Sequence, residues 1–336
     1  MSARPLLLLD PHPRTAAMVY GPATRRRLVR DFDVRAHLRR PASDRQVDGV
    51  IEEAAVVVGQ TALGRGRLER ARRLKAVINV LGNWRPNIDY ACAARRGVQV
   101  LSIAPAMADA VAEWILGALI VQGRGMLAAQ QDFLAGREKY GIAGNRDAVS
   151  LAGATVGIIG FGNLGRRLAE LLRPFGCRLL VHDPHVPAAV LAKHGALRRP
   201  LPRLLAAASH VAVTAGATRS NEGFLDAQKL DALAPGCVVV LASRAAVVDF
   251  DALASLARRG RIKLAVDVFP HEPAPARSPW RRLRQVLWSA HRAGGIPRSY
   301  ELLQEMLLED IANVMAGRRP RRLQPATARA AADASV

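Results

Sequence analysis

Thr155-Val156-Gly157-Ile158-Ile159-Gly160-Phe161-Gly162-Asn163-Leu164-Gly165 begins as an apolar, β-branched run, makes a G-x-G-x-x-G turn and leads into a helix-like segment reaching Phe175. The order strand, glycine turn, helix lifts the match above a chance spacing of three glycines. Gly160 permits a tight turn, Gly162 lets backbone approach a pyrophosphate with no Cβ between, and Gly165 lets the helix pack on its strand. Asn163 and Leu164 open that helix, whose free N–H groups and positive dipole end face the phosphates. A second apolar run, Arg178 to His182, ends in Asp183. An acid about twenty residues beyond the turn accepts hydrogen bonds from the adenine ribose, and its charge repels the extra phosphate of NADP. The stretch therefore predicts NAD binding. Locally, Asp183 also reads as the start of a turn with Pro184, and His182 as a structural residue.

Outward from this unit, short β-type runs alternate with helical stretches in both directions, the pattern of parallel sheets covered by helices. Upstream, residues 6–9, 55–58, 76–80 and 98–103 read as strands, and 63–73 and 87–96 as helices. A long apolar helix over 107–124 follows, then a poorly patterned, glycine-containing loop to about Ser150. Downstream, strands are expected at 211–214, 238–241, 264–268 and 286–289, with helices at 251–259 and 296–315. Beyond Gly317 the Arg-rich, then Ala-rich end reads as a fraying tail. At 336 residues the chain exceeds the usual size of one core, so two domains are expected.

Composition narrows the function classes. Half the residues are apolar and 23% charged, with no long polar tract, which argues against disorder. The best candidate for a membrane span, residues 110–121, carries Glu113 and is too short, so no membrane partner is expected. The formal charge of +21 is almost all Arg, scattered along the chain and without a nucleic-acid-binding motif, so no nucleic acid partner is expected. Cys92, Cys177 and Cys237 are widely spaced and odd in number, which suits buried thiols in the cytoplasm; no metal-ligand spacing is present.

Three further segments carry chemistry. Leu241-Ala242-Ser243-Arg244 ends one apolar run, Val266-Asp267-Val268-Phe269-Pro270-His271-Glu272-Pro273 ends another, and Trp288-Ser289-Ala290-His291 ends a third. Strand ends on one edge of a parallel sheet are where such folds bind ligands. Reducing a 2-keto acid needs a fixed cation for the carboxylate and carbonyl, and a proton donor for the oxygen. Arg244 supplies a two-bond fork and His291 the proton, while Glu272 favours the imidazolium and orients the ring. Alone, each has a plainer reading as a surface ion pair or a solvated histidine; Trp114, Trp280 and Trp288 read as packing residues.

Taken in order, these motifs resemble the D-isomer-specific 2-hydroxyacid dehydrogenases over nearly the whole chain. The resemblance implies an α/β fold of two domains, with a Rossmann-type doubly wound parallel sheet inserted into a smaller flavodoxin-like substrate domain. Residues 1–106 would form the substrate domain, 107–295 the NAD domain, and 296–336 a returning helix and tail. It implies catalytic roles for Arg244, Glu272 and His291, and assigns Asp267 to the nicotinamide carboxamide. Gly82, Asn83 and Trp84 fall in the loop whose backbone holds the substrate carboxylate, together with Arg244. Val111-Ala112-Glu113 opens the family's dimer helix, so a homodimer is expected. This chain departs from the family pattern at Gly216, Leu241, Ala245 and Ala290, and Trp84 with Arg85 replaces small residues in the substrate loop. The implied function is NAD-dependent interconversion of a D-2-hydroxy acid and its 2-keto acid. The alternative on the same fold is a corepressor-like protein that senses NAD.

Overall fold

Strands β1 (Leu6–Asp10), β2 (Asp33–Ala36), β3 (Ala54–Gly59), β4 (Ala76–Asn79) and β5 (Gln99–Ser102) form a parallel sheet ordered β2-β1-β3-β4-β5. Every residue of β3 and β4 is buried, as in a sheet covered on both faces. By contrast β2 is a partly exposed edge whose one partly buried apolar residue is Val34, and no periodic run announced it. The computed structural model describes residues 4–327 and 332–334. Its chain divides into unit 1 (Met1–Met107, Thr218–Ser220, Ile296–Val336) and unit 2 (Ala108–Ala217, Asn221–Gly295), so unit 2 interrupts unit 1.

Unit 2 holds β6 (Thr155–Ile159), β7 (Arg178–His182), β8 (Ala196–Arg198), β9 (His210–Val213), β10 (Cys237–Leu241), β11 (Ile262–Val266) and β12 (Leu287–Trp288). All run parallel in the order β8-β7-β6-β9-β10-β11-β12, so the winding reverses between β6 and β9. This is the doubly wound, Rossmann-type order. The helix Ala104–Gly123 has the length and apolarity of a bilayer crossing. Within unit 2, however, Ala112, Ile115, Ala118 and Leu119 pack into the sheet's core, so one face of the helix is used inside its own unit. The stretch read as a loop to Ser150 contains a further helix, Met126–Leu134, which buries none of its residues and so lacks the apolar stripe that pattern reading needs.

The returning helix Pro297–Met315 packs in unit 1, and residues beyond Gly317 do not fray at once. The carboxylate of fully buried Asp310 accepts the N–H groups of Arg321, Arg322 and Leu323, and β13 (Gln324–Pro325) then pairs antiparallel with β5. A buried acid with three backbone donors is an anchor that composition could not reveal. The Ala-rich end lies largely at 328–331 and 335–336, outside the described residues.

His210 opens β9 and is fully buried. A Cβ at Gly123 would stand 3.2 Å from its Nε2, so the helix end packs directly on the imidazole. Burial first, and then nearby Lys263, push its pKa from 6.5 down to about 4. The unfolded ring takes up its proton near pH 6.5 and the folded ring near pH 4, so this contribution is complete above about 6.5 and is lost as pH falls toward 4. A shift of that size corresponds to about 3 kcal/mol. His210→Gln is expected to flatten the fall in urea-unfolding stability between those two pH values. An unchanged acid limb would assign the fall to other groups.

Candidate active site

The glycine turn is built as its sequence demands. Gly160 has φ +88°, and a Cβ there would fall 2.5 Å from the Ala215 backbone, so neither the conformation nor the space admits a side chain. At Gly165 a Cβ would meet the Gly160 carbonyl at 2.4 Å, which is the close helix-to-strand contact. Gly162 caps the helix Asn163–Leu172, and nothing lies within 4 Å of where its Cβ would be. That open side and the helix's free N–H groups fit a pyrophosphate.

Asp183 follows β7 and meets this turn. Its Oδ2 accepts the Phe161 N–H at 2.8 Å, and its Oδ1 accepts those of His185 at 2.9 Å and Val186 at 3.2 Å. Both sequence readings therefore describe part of the residue: it starts a turn, and it stands against the glycine loop. Of roughly four acceptor positions on a carboxylate, three are occupied, which leaves room on Oδ2 for a ribose hydroxyl. Arg198, which no motif singled out, braces the same turn by donating to the carbonyls of Asp183 and Val186. Asp183→Ser is expected to weaken NADH binding about ten-fold and bring NADPH close to parity, since a charge-assisted hydrogen bond is removed and phosphate repulsion goes with it. Dissociation constants for both cofactors check this; a ratio equal to wild type would reduce Asp183 to a turn residue.

The chemistry-bearing side chains stand on three adjacent strands. Arg244 lies just beyond β10 in extended backbone, with Nη1 donating to the Ser243 carbonyl at 2.6 Å. Asp267 follows β11 and is 1% exposed. Its Oδ1 accepts the Arg292 N–H at 2.8 Å and its Oδ2 that of Ala293 at 3.1 Å, while its carbonyl accepts the His291 N–H at 2.7 Å. The residue that the resemblance assigns to the carboxamide thus also clamps the chain around His291.

His291 follows β12, and its φ of +52° is the one positive value outside glycine among the described residues. That conformation is costly for a histidine and persists where surrounding contacts fix it, as the Asp267 clamp does here. Its Nδ1 lies 2.6 Å from Glu272 Oε2, and Glu272 Oε1 accepts the Phe269 N–H at 3.0 Å. Phe269 in turn stacks on Trp280 and Trp288, so the tryptophans are packing residues that hold the glutamate's segment. With Nδ1 on the glutamate, Nε2 is the nitrogen left to meet a substrate. The structure therefore joins Glu272 to His291 directly and sets Arg244 two strands away on the same edge, roughly 10 Å at ordinary strand spacing.

Gly82, Asn83 and Trp84 belong to unit 1, in the loop after β4. Trp84 is half-buried against the unit's core, edge-on to Tyr90 at 6.2 Å. The Tyr90 hydroxyl accepts the Arg85 N–H at 3.1 Å and donates to the Arg85 carbonyl at 2.7 Å. Arg14 donates to the Val80 carbonyl just ahead of the loop. The Arg14 brace joins residues 66 apart in the chain, which linear spacing does not reveal.

A doubly wound sheet with this glycine turn, an acid after the second strand and an Arg, Glu and His on neighbouring strand ends defines a nicotinamide-dinucleotide-binding protein of the dehydrogenase class. Residues 116–293 match the family model described as D-isomer specific 2-hydroxyacid dehydrogenase, NAD binding domain. The chain belongs to this family, and its cofactor is NAD. A phosphoglycerate oxidoreductase from Rhizobium etli is 33% identical, with a TM-score of 0.85 over 96% of this chain and 99% of that one. The D-3-phosphoglycerate dehydrogenase of Mycobacterium bovis is 29% identical over 82% of this chain and 52% of its own length. The (S)-sulfolactate dehydrogenase of Chromohalobacter salexigens is 28% identical over 79% and 85% respectively. The chain thus spans about half the length of the Mycobacterium bovis enzyme.

Proposed function

We propose that the protein interconverts a D-2-hydroxy acid and its 2-keto acid, with NAD as hydride carrier. The observation that carries this reading is the 2.6 Å contact of His291 Nδ1 with Glu272 Oε2 on the strand edge that also bears Arg244. In the reductive direction Arg244 pairs with the substrate carboxylate and polarises the 2-carbonyl. With NADH held by the glycine turn and Asp183, the hydride for C2 would come from its nicotinamide. His291 then gives its Nε2 proton to the carbonyl oxygen, and Glu272 holds the ring in orientation through Nδ1. Asp267 positions His291 and, through its remaining lone pairs, holds the carboxamide. Gly82, Asn83 and Trp84 offer a backbone loop for the carboxylate. Arg244, Glu272 and His291 together favour the enzyme over a corepressor-like protein, which can keep the same three side chains, so turnover is the deciding observation. A panel of 2-keto acids with NADH, followed by absorbance, tests the proposal; no oxidation with any of them would return the corepressor reading.

The same reading makes the protein a cytoplasmic homodimer, and three free thiols suit a reducing compartment. Self-association would use the faces of the long helix that its own core leaves uncovered, continued by the segment that follows it. Phe133, Leu134, Tyr140 and Ile142 are 63–83% exposed within ten residues, a concentration of exposed apolar side chains that self-association would cover. Phe133→Asp with Ile142→Asp is expected to give the monomer mass in light scattering at micromolar protein where wild type gives the dimer. A monomeric wild type would refute the assignment.

A further inference from the structure

The sheet of unit 1 reverses its winding between β1 and β3, and open α/β sheets hold ligands at the carboxyl ends of strands where the winding reverses. An open pocket of about 460 Å³ lies there, lined by Asp10, His12, Pro13, Pro41 and Gln60. The two strands approach closely at this point: Gly59 has φ +149°, and a Cβ on it would fall 1.8 Å from the Asp10 carbonyl oxygen. Asp10 is 5% exposed, its Oδ2 receives the Thr61 hydroxyl at 3.4 Å, and its Oδ1 has no hydrogen-bond partner among the described residues. Both polar atoms of the Gln60 amide are buried and likewise unpartnered. His12 Nε2 is engaged 3.1 Å from the His37 carbonyl, and nearby Arg14 is turned away to the Val80 carbonyl and the Tyr300 hydroxyl. A buried carboxylate with one long hydrogen bond is costly unless something brings it donors.

We propose that this pocket receives the far end of the 2-hydroxy acid and selects a substrate bearing a hydroxyl or amine there over one bearing a second anion. The inference rests on the dehydrogenase reading above. The loop proposed for the carboxylate follows β4, one strand from Gln60 and two from Asp10, a separation of roughly 5–10 Å that a short carbon chain spans. Asp10 accepts from the substrate's donor, and the Gln60 amide offers one donor and one acceptor beside it. A phosphate, sulfonate or carboxylate at that end would instead meet the Asp10 carboxylate, with like charges apposed at low dielectric. The phosphoglycerate and sulfolactate dehydrogenases similar to this chain are named for substrates with a second anion, so the pocket separates this protein from them in specificity.

The test uses the full chain with NADH and three probes: 4-hydroxy-2-ketobutyrate, its apolar isostere 2-ketovalerate, and 2-ketoglutarate. Equilibrium dialysis gives affinity and NADH absorbance gives kcat/KM. Wild type is expected to bind the hydroxy probe about ten-fold or more tightly than either of the others, the difference a hydrogen bond to a charged group makes. Asp10→Asn and Gln60→Leu are each expected to bring that advantage toward parity while the NADH dissociation constant stays put. If Asp10→Asn does not fold, Gln60→Leu decides. Equal affinities for the three probes, a preference for 2-ketoglutarate, binding of none, or an advantage untouched by the folded variants would overturn the proposal. Turnover of all three probes without preference sinks the pocket and keeps the dehydrogenase. The predicted binding order without any NADH oxidation does the reverse.

Discussion

His291→Asn is expected to lower kcat for the best 2-keto acid by about 10²- to 10⁴-fold, the usual worth of a positioned general acid, and to leave NADH binding as it was. Asparagine suits the comparison because it tolerates the left-handed backbone that His291 occupies at φ +52°, so the Asp267 clamp survives the change. Stopped-flow reduction and a separate NADH titration distinguish the two effects. Keto-acid reduction takes a proton from His291 and hydroxy-acid oxidation returns one to it, so the variant should be impaired in both directions. Near-wild-type reduction by His291→Asn from pH 5 to 9 would remove the histidine from the mechanism and with it the main support for an enzyme.

Arg244→Lys is expected to lower kcat/KM by about 10²- to 10³-fold, comparable to removing a donor from an oxyanion site. A lysine keeps the charge but not the planar fork, so carboxylate pairing and carbonyl polarisation cannot both be met. The loss should fall on KM as well as kcat, unlike that of His291→Asn. In the double variant the two losses should combine to less than their product, because groups acting on one carbonyl in one transition state are not independent. A full multiplicative loss would mean that Arg244 and His291 serve separate steps.

Where a segment is buried on both faces of a sheet, its sequence alone determined its structure. The runs at β3, β6 and β10 had to be apolar and β-branched whatever their neighbours, and each is a strand where the pattern placed it. The same holds for the glycine turn, because no other residue fits the backbone at Gly160 or the contact at Gly165. Residue type and order also singled out Arg244, Glu272 and His291, since strand ends converge on one edge by topology.

Tertiary structure alone decided whatever depends on a partner distant in sequence. Edge strands β2, β8 and β13 are two to four residues long and partly polar; only an existing neighbour makes them strands. The helix Met126–Leu134 buries nothing within its own unit, so no periodic face marked it. Asp267 reads in sequence as a cofactor ligand, yet its two oxygens meet N–H groups 25 and 26 residues away, and only the fold makes it the clamp of the catalytic loop. Asp10 ends β1 and Gln60 directly follows β3, some fifty residues along the chain, and neither carries a motif. Their pocket exists because a parallel β1–β3 pair brings two carboxyl ends together, a consequence of non-local hydrogen bonding that linear spacing does not encode.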